Sequence, residues 1–137
     1  MQPDAARTPG FSPGFIFVYG LLRPGESGLA ELGLADHLPA AGRAKIRGRL
    51  YDLGPYPGAK LDEPGTLAGD LLRLTRPADL DALDRFEDFD PRDLAASLYE
   101  RRRVRTLASN LTVWAYHYRP AVDPEARIAS GDWTRRG

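Results

Sequence analysis

Glu87 is the residue of this chain best placed to move a proton. It lies near the end of a segment, residues 77–89, in which Leu80, Leu83 and Phe86 recur at helical spacing. At about 100° per residue, Glu87 projects between Leu80 and Leu83, on the apolar face of that helix. Burial raises a carboxyl pKa, and the helix C-terminus and the like charges of Asp84 and Asp88 push the same way. A carboxyl group so placed exchanges protons near neutral pH, as general acid/base catalysis requires. The competing reading is that Glu87 frays into water at the helix end. Asp84 and Asp88 are read as solvent-facing.

A second chemical element is Tyr19-Gly20-Leu21-Leu22-Arg23-Pro24-Gly25, where an apolar run ends in a glycine and turns. Successive backbone N–H groups in such a turn form a nest for an anion, and a carboxylate is a suitable guest. Taken alone the segment reads as an ordinary turn, because no Walker or dinucleotide glycine pattern accompanies it. Gly54-Pro55-Tyr56-Pro57-Gly58 is rigid and turn-forming, either a simple loop or a pocket wall carried by Tyr56. His37 and His117 have no third ligand at recognisable spacing, so no metal site is expected. No Gly-x-Ser-x-Gly element marks an activated serine.

These groups need elements to hold them. Residues 15–19, apolar throughout and β-favouring, predict a buried central strand that delivers Tyr19 and Gly20. Residues 26–34 predict a short helix weakened by internal glycines. Alternation predicts strands over residues 44–53 and 66–74, each with a glycine, Gly48 and Gly69, that marks a bend or a close approach. The helix over residues 77–89 ends before Asp90-Pro91. Residues 90–97 read as a loop, residues 98–107 and 111–118 as a hairpin turning through Ala108-Ser109-Asn110, and the chain after Arg119 as loop. Trp114 and Tyr116 share one face of the last strand, Val113 and Ala115 the other, so that strand is interior. Arg101, Arg102, Arg103 and Arg105 alternate faces and are expected to pair with surface acids. Strands outnumber helices, giving α+β with a mixed, barrel-like sheet.

The chain has 137 residues, enough for one domain with its own core; residues 1–14 are expected to be a disordered leader and residues 15–137 the domain. Nineteen basic residues balance nineteen acidic ones, so no strong field draws nucleic acid or an anionic membrane. There is no cysteine, which removes disulfides and thiolate chemistry. No apolar run reaches the roughly 18 residues of a membrane span, and no signal peptide is evident, so a cytoplasmic monomer is the default expectation.

In order, Val18-Tyr19-Gly20-Leu21-Leu22-Arg23-Pro24-Gly25, Gly54-Pro55-Tyr56-Pro57-Gly58, Leu83-Asp84-Arg85-Phe86-Glu87, Leu98-Tyr99-Glu100-Arg101, Trp114-Ala115-Tyr116 and Ile128-Ala129-Ser130-Gly131-Asp132-Trp133 resemble the γ-glutamylcyclotransferase-like family over nearly the whole folded chain. That resemblance implies a small mixed β-barrel with flanking helices and a cofactor-free reaction. In it, a γ-glutamyl compound cyclises to 5-oxoproline and releases an amine. It implies Glu87 as the acid/base and backbone amides at Gly20, Leu21 and Leu22, beside Tyr19, as the substrate carboxylate site. Tyr56, Tyr99 and Tyr116 are expected to line the pocket. Leu21 stands where the family commonly has Ser or Thr, Asp88 stands where glycine is frequent, and residues 90–97 are longer than in compact members. On the same fold, a non-catalytic module binding a small ligand or a partner is the alternative.

Overall fold

The structure is a computed structural model, described here for residues 14–135. The expected leader lies, but for Gly14, outside the described residues; Gly14 itself opens the first strand, β1 (Gly14–Val18). In chain order there follow α1 (Ser27–Glu31), β2 (Ala40–Arg47), β3 (Arg49–Asp52), β4 (Pro57–Lys60), β5 (Thr66–Leu74), α2 (Pro77–Phe86), β6 (Tyr99–Arg105), β7 (Thr112–Tyr118) and β8 (Arg127–Ile128). Three-residue 3₁₀ turns occupy Leu94–Ala96, Pro124–Ala126 and Trp133–Arg135.

The strands form a five-stranded sheet in the order β2-β5-β1-β7-β6 and a three-stranded sheet in the order β4-β3-β8. β1 is central, as its unbroken apolar run requires, antiparallel to β5 and parallel to β7. Its side chains alternate between two cores. Ile16 and Val18 join Leu80 and Leu83 of α2 and Leu29 of α1, whereas Phe17 and Tyr19 join Leu50, Ala59 and Ile128 from the smaller sheet. β7 divides likewise, with Tyr116 on the helix side and Val113 and Ala115 between the sheets. The α+β class and mixed sheet are therefore as the sequence suggests.

Three expectations are corrected. The sheet does not close into a barrel: among the described residues its edges meet at the Ile46–Thr106 bridge, beside the Leu107 N–H to Lys45 carbonyl bond of 2.8 Å, and do not form a ladder. The strand expected over residues 44–53 is two strands in different sheets. They part at Gly48 (φ 149°), a backbone conformation that removes the chain from the first sheet just where its edge would have to zip against β6. The chain after Arg119 is not simply loop, since β8 pairs with β3 through Leu50 and Ile128.

Gly69 marks a close approach, as its place within a strand suggests. A Cβ there would lie 2.4 Å from the Val18 carbonyl oxygen and 2.7 Å from the Phe17 ring, one residue past the Val18–Asp70 pair that ends the β1–β5 ladder. Gly69→Ala is expected to cost about 3 kcal/mol, seen as a lower urea midpoint with an unchanged slope.

Candidate active site

β1, α2, β6, β7 and the loop before β4 converge at the C-terminal end of β1 on a cavity of about 340 Å³. The residues expected to form the catalytic and substrate site all line it: Tyr19, Gly20, Leu21, Leu22, Tyr56, Glu87, Tyr99 and Tyr116. Val18, Glu31, Pro57, Phe86, Asp88 and Leu98 complete the wall.

Glu87 is held firmly. α2 stops at Phe86, short of the expected Phe89, and Glu87 is its C-cap with its N–H donating to the Leu83 carbonyl at 3.0 Å. Asp88 then adopts φ 53°, and the Asp88 and Phe89 N–H groups fold back to the Arg85 and Asp84 carbonyls at 3.2 and 2.8 Å. This is the paired closure of a Schellman motif, which satisfies the last carbonyls and leaves no fraying end. Asp88 occupies the left-handed position that glycine fills at no steric cost, so Asp88→Gly is expected to raise stability by about 0.5–1 kcal/mol, measured by urea unfolding.

The Glu87 carboxyl pKa is raised to about 8, first by burial and then by the negative charge of Asp84. Some surface of the residue remains accessible because it forms a cavity wall, while the protein around it excludes most bulk water. Asp84 does not face solvent as its residue type suggests: it is 4% exposed, bonded by Arg101 Nε at 2.9 Å, Arg101 Nη2 at 3.2 Å and the Tyr116 hydroxyl at 2.6 Å. A signal for this was present, since Asp84 projects only about 40° from Leu80 on the helix. Its partner Arg101 is thereby withdrawn from the surface pairing expected of it, and its guanidinium stacks 4.3 Å from the Trp114 ring centre.

The tyrosines build the wall, and the hydroxyls of three of them are engaged within the protein. Tyr19 donates to the Tyr116 carbonyl at 2.8 Å, Tyr99 to the Pro57 carbonyl at 2.8 Å, and Tyr116 to Asp84. Burial pushes all three phenols well above their ordinary pKa, with the Glu87 charge adding to the effect. Tyr56 packs on Tyr99 with ring centres 6.5 Å apart.

The loop after β1 is a turn closed by the Arg23 N–H to Gly20 carbonyl bond at 3.0 Å and braced by the Gly28 N–H to Leu21 carbonyl bond at 2.8 Å. The N–H groups of Gly20, Leu21 and Leu22 have no acceptor among the described residues. Gly20 admits the second wall: a Cβ there would lie 2.7 Å from Pro57 Cγ. The Leu22 side chain enters the helix-side core, so its contribution to the cavity is largely backbone, while Leu21 brings no hydroxyl. Beneath the turn Arg23, 5% exposed, is gripped by Asp70 at 2.7 Å and Asp132 at 2.8 Å.

Neither histidine stands in the cavity. His37 Nδ1 meets Arg76 at 2.7 Å, and His117 Nδ1 accepts from the Leu61 N–H at 3.1 Å. Among the described residues no group of three or more His, Cys, Asp or Glu side chains is disposed to hold a metal, and no helix is long and apolar enough to cross a membrane.

The acid-bearing, aromatic-walled cavity at the end of the central strand of this α+β fold has the size and lining common in small-molecule sites. Residues 16–135 match the family model described as "Gamma-glutamyl cyclotransferase, AIG2-like", and the chain belongs to that family. Among solved structures, YtfP from Escherichia coli is 31% identical with a TM-score of 0.65, covering 90% of this chain and 98% of its own. An AIG2-like protein from Mus musculus (TM-score 0.59, 23% identity, 85% and 83% covered) and an uncharacterised protein from Pyrococcus horikoshii (0.62, 22%, 87% and 88%) share the fold. No curated protein sequence matches.

Proposed function

We propose that this cavity carries out the cyclisation of a γ-glutamyl compound to 5-oxoproline and a free amine, with Glu87 as the acid/base. The observation that carries the reading is a carboxyl poised near neutral pH in the same cavity as three successive backbone N–H groups that have no acceptor among the described residues. The N–H groups of Gly20, Leu21 and Leu22 suit the α-carboxylate of a glutamyl unit. The aromatic wall of Tyr56, Tyr99 and Tyr116 encloses its chain.

Ionised Glu87 takes a proton from the substrate α-ammonium. The freed amine attacks the γ-carbonyl carbon, forming the ring C–N bond. As the tetrahedral species collapses, the bond to the departing nitrogen breaks and Glu87 returns its proton to that nitrogen. The ionised Glu87 then takes the second proton from the ring nitrogen, leaving the lactam N–H, and passes it to the freed amine, which departs as an ammonium. Atoms and charge balance with no water, oxidant or metal consumed. Nucleophile and electrophile belong to one molecule, so the protein contributes by holding the folded conformer and relaying protons from the attacking to the departing nitrogen.

The test is release of 5-oxoproline from a panel of γ-glutamyl amines, γ-glutamyl amino acids and glutathione. Product from any of them supports the reading, and the best leaving amine names the substrate class. Leu21, a cavity residue without a hydroxyl, favours a second reading as a binding module. That reading expects ligand-dependent thermal stabilisation and no product.

A further inference from the structure

The C-terminal segment is built into the loop that forms one side of the cavity. Arg23 is the last residue of the turn from Gly20; it does not line the cavity, and its side chain is held by Asp70 of β5 at Nε and by Asp132 at Nη1. Asp132 comes from a place 109 residues away in sequence and is itself aimed: the Thr134 hydroxyl and N–H donate to the same Oδ1 at 2.7 and 3.0 Å. Although burial pushes the Asp132 carboxyl up, the bonds from Thr134 and Arg23 outweigh it and hold it below the usual carboxylate range. The segment is seated directly on the sheet, since the Ala68 N–H donates to the Gly131 carbonyl at 2.8 Å and a Cβ on Gly131 would collide with the Thr66 carbonyl.

A buried guanidinium stays where its carboxylates are, because leaving one unpaired is costly. Leu22 fixes the turn to the helix-side core, and Arg23 ties it to β5 and to the C-terminal segment. We propose that Asp132, acting through Arg23, is a positioning residue that sets where the Gly20, Leu21 and Leu22 N–H groups point into the cavity. This rests on the proposed use of those N–H groups to bind substrate carboxylate. Glu87 is carried by α2, a separate element, so the effect falls on binding and not on proton transfer.

The test compares the native protein with Asp132→Asn and Asp132→Glu. Asp132→Asn is expected to raise KM roughly ten- to hundredfold, as a displacement of about 1 Å in a positioning group does, with kcat within about threefold and the pH dependence unmoved. Asp132→Glu keeps the charge and is expected to recover most of the loss. An unchanged KM in Asp132→Asn overturns the proposal, as does a fall in kcat at constant KM. Amide ¹H–¹⁵N shifts of Gly20, Leu21 and Leu22 in the unliganded protein are expected to move in Asp132→Asn while that of Glu87 does not; unmoved loop shifts overturn the proposal even if no γ-glutamyl compound proves to be a substrate. If Asp132→Asn does not fold, Thr134→Val, which deletes one bond aiming Asp132, is read in the same two ways with a smaller expected change.

Discussion

Glu87→Gln is expected to lower turnover of γ-glutamyl compounds by about 10²–10⁴-fold, the range for loss of a positioned acid/base, with the cavity intact. Glutamine has the shape of the protonated acid, which is the dominant form at neutral pH for a group with a pKa of about 8, so the substitution disturbs neither packing nor the Schellman turn. In the native protein kcat/KM is expected to rise with pH through about 8, as the carboxylate that accepts the ammonium proton appears, and Glu87→Gln is expected to lack that limb.

Stability moves the opposite way. The unfolded-state pKa of a glutamate is about 4.3, and the folded value is raised, so the folded protein holds the Glu87 proton more tightly. That contribution is complete below about pH 4.3 and is lost as pH rises through about 8. The Tm of the native protein is therefore expected to fall relative to Glu87→Gln between pH 6 and pH 9. A glutamate frayed into water would show neither the alkaline limb nor this divergence.

Asp84→Ala is expected to be the most destabilising single change near the cavity, costing about 3–5 kcal/mol in urea unfolding. The Arg101 guanidinium would lose both its bonds to the Asp84 carboxylate, and the buried Tyr116 hydroxyl would lose its acceptor at 2.6 Å. Asp84→Asn keeps the volume and an acceptor while deleting the charge that helps raise Glu87, so the rising limb of kcat/KM is expected to move below pH 8. An unmoved limb in Asp84→Asn would show that burial alone sets the Glu87 pKa.

Much of the cavity was legible in the chain because its parts are local. A continuous apolar run ending in Gly20 declares a buried strand and the turn at its end, and helical periodicity places Glu87 beside Leu80 and Leu83 without knowledge of any neighbour. The order of the short motifs carries the family, and hence the tyrosines that would meet at one site. Gly69 announced a close approach, though not that Val18 and Phe17 would be what approaches.

What needed the tertiary structure was each feature decided by a partner distant in the chain. Asp84 carries a charge that residue type alone assigns to solvent, and only the arrival of Arg101 and Tyr116 from another hairpin makes its burial tolerable. Gly48 could bend a strand or end it, and the choice depended on β3 finding β4 and β8 in a second sheet. In sequence the tyrosines read as pocket residues with no partner named for their hydroxyls, and it is the fold that brings the carbonyls of Tyr116 and Pro57 and the carboxylate of Asp84 to occupy those of Tyr19, Tyr99 and Tyr116. Arg23 and Asp132 were both visible in the motifs, but not their bond, because periodicity and turn chemistry report on neighbours a few residues apart whereas an ion pair across 109 residues is set by how the sheets and loops stack.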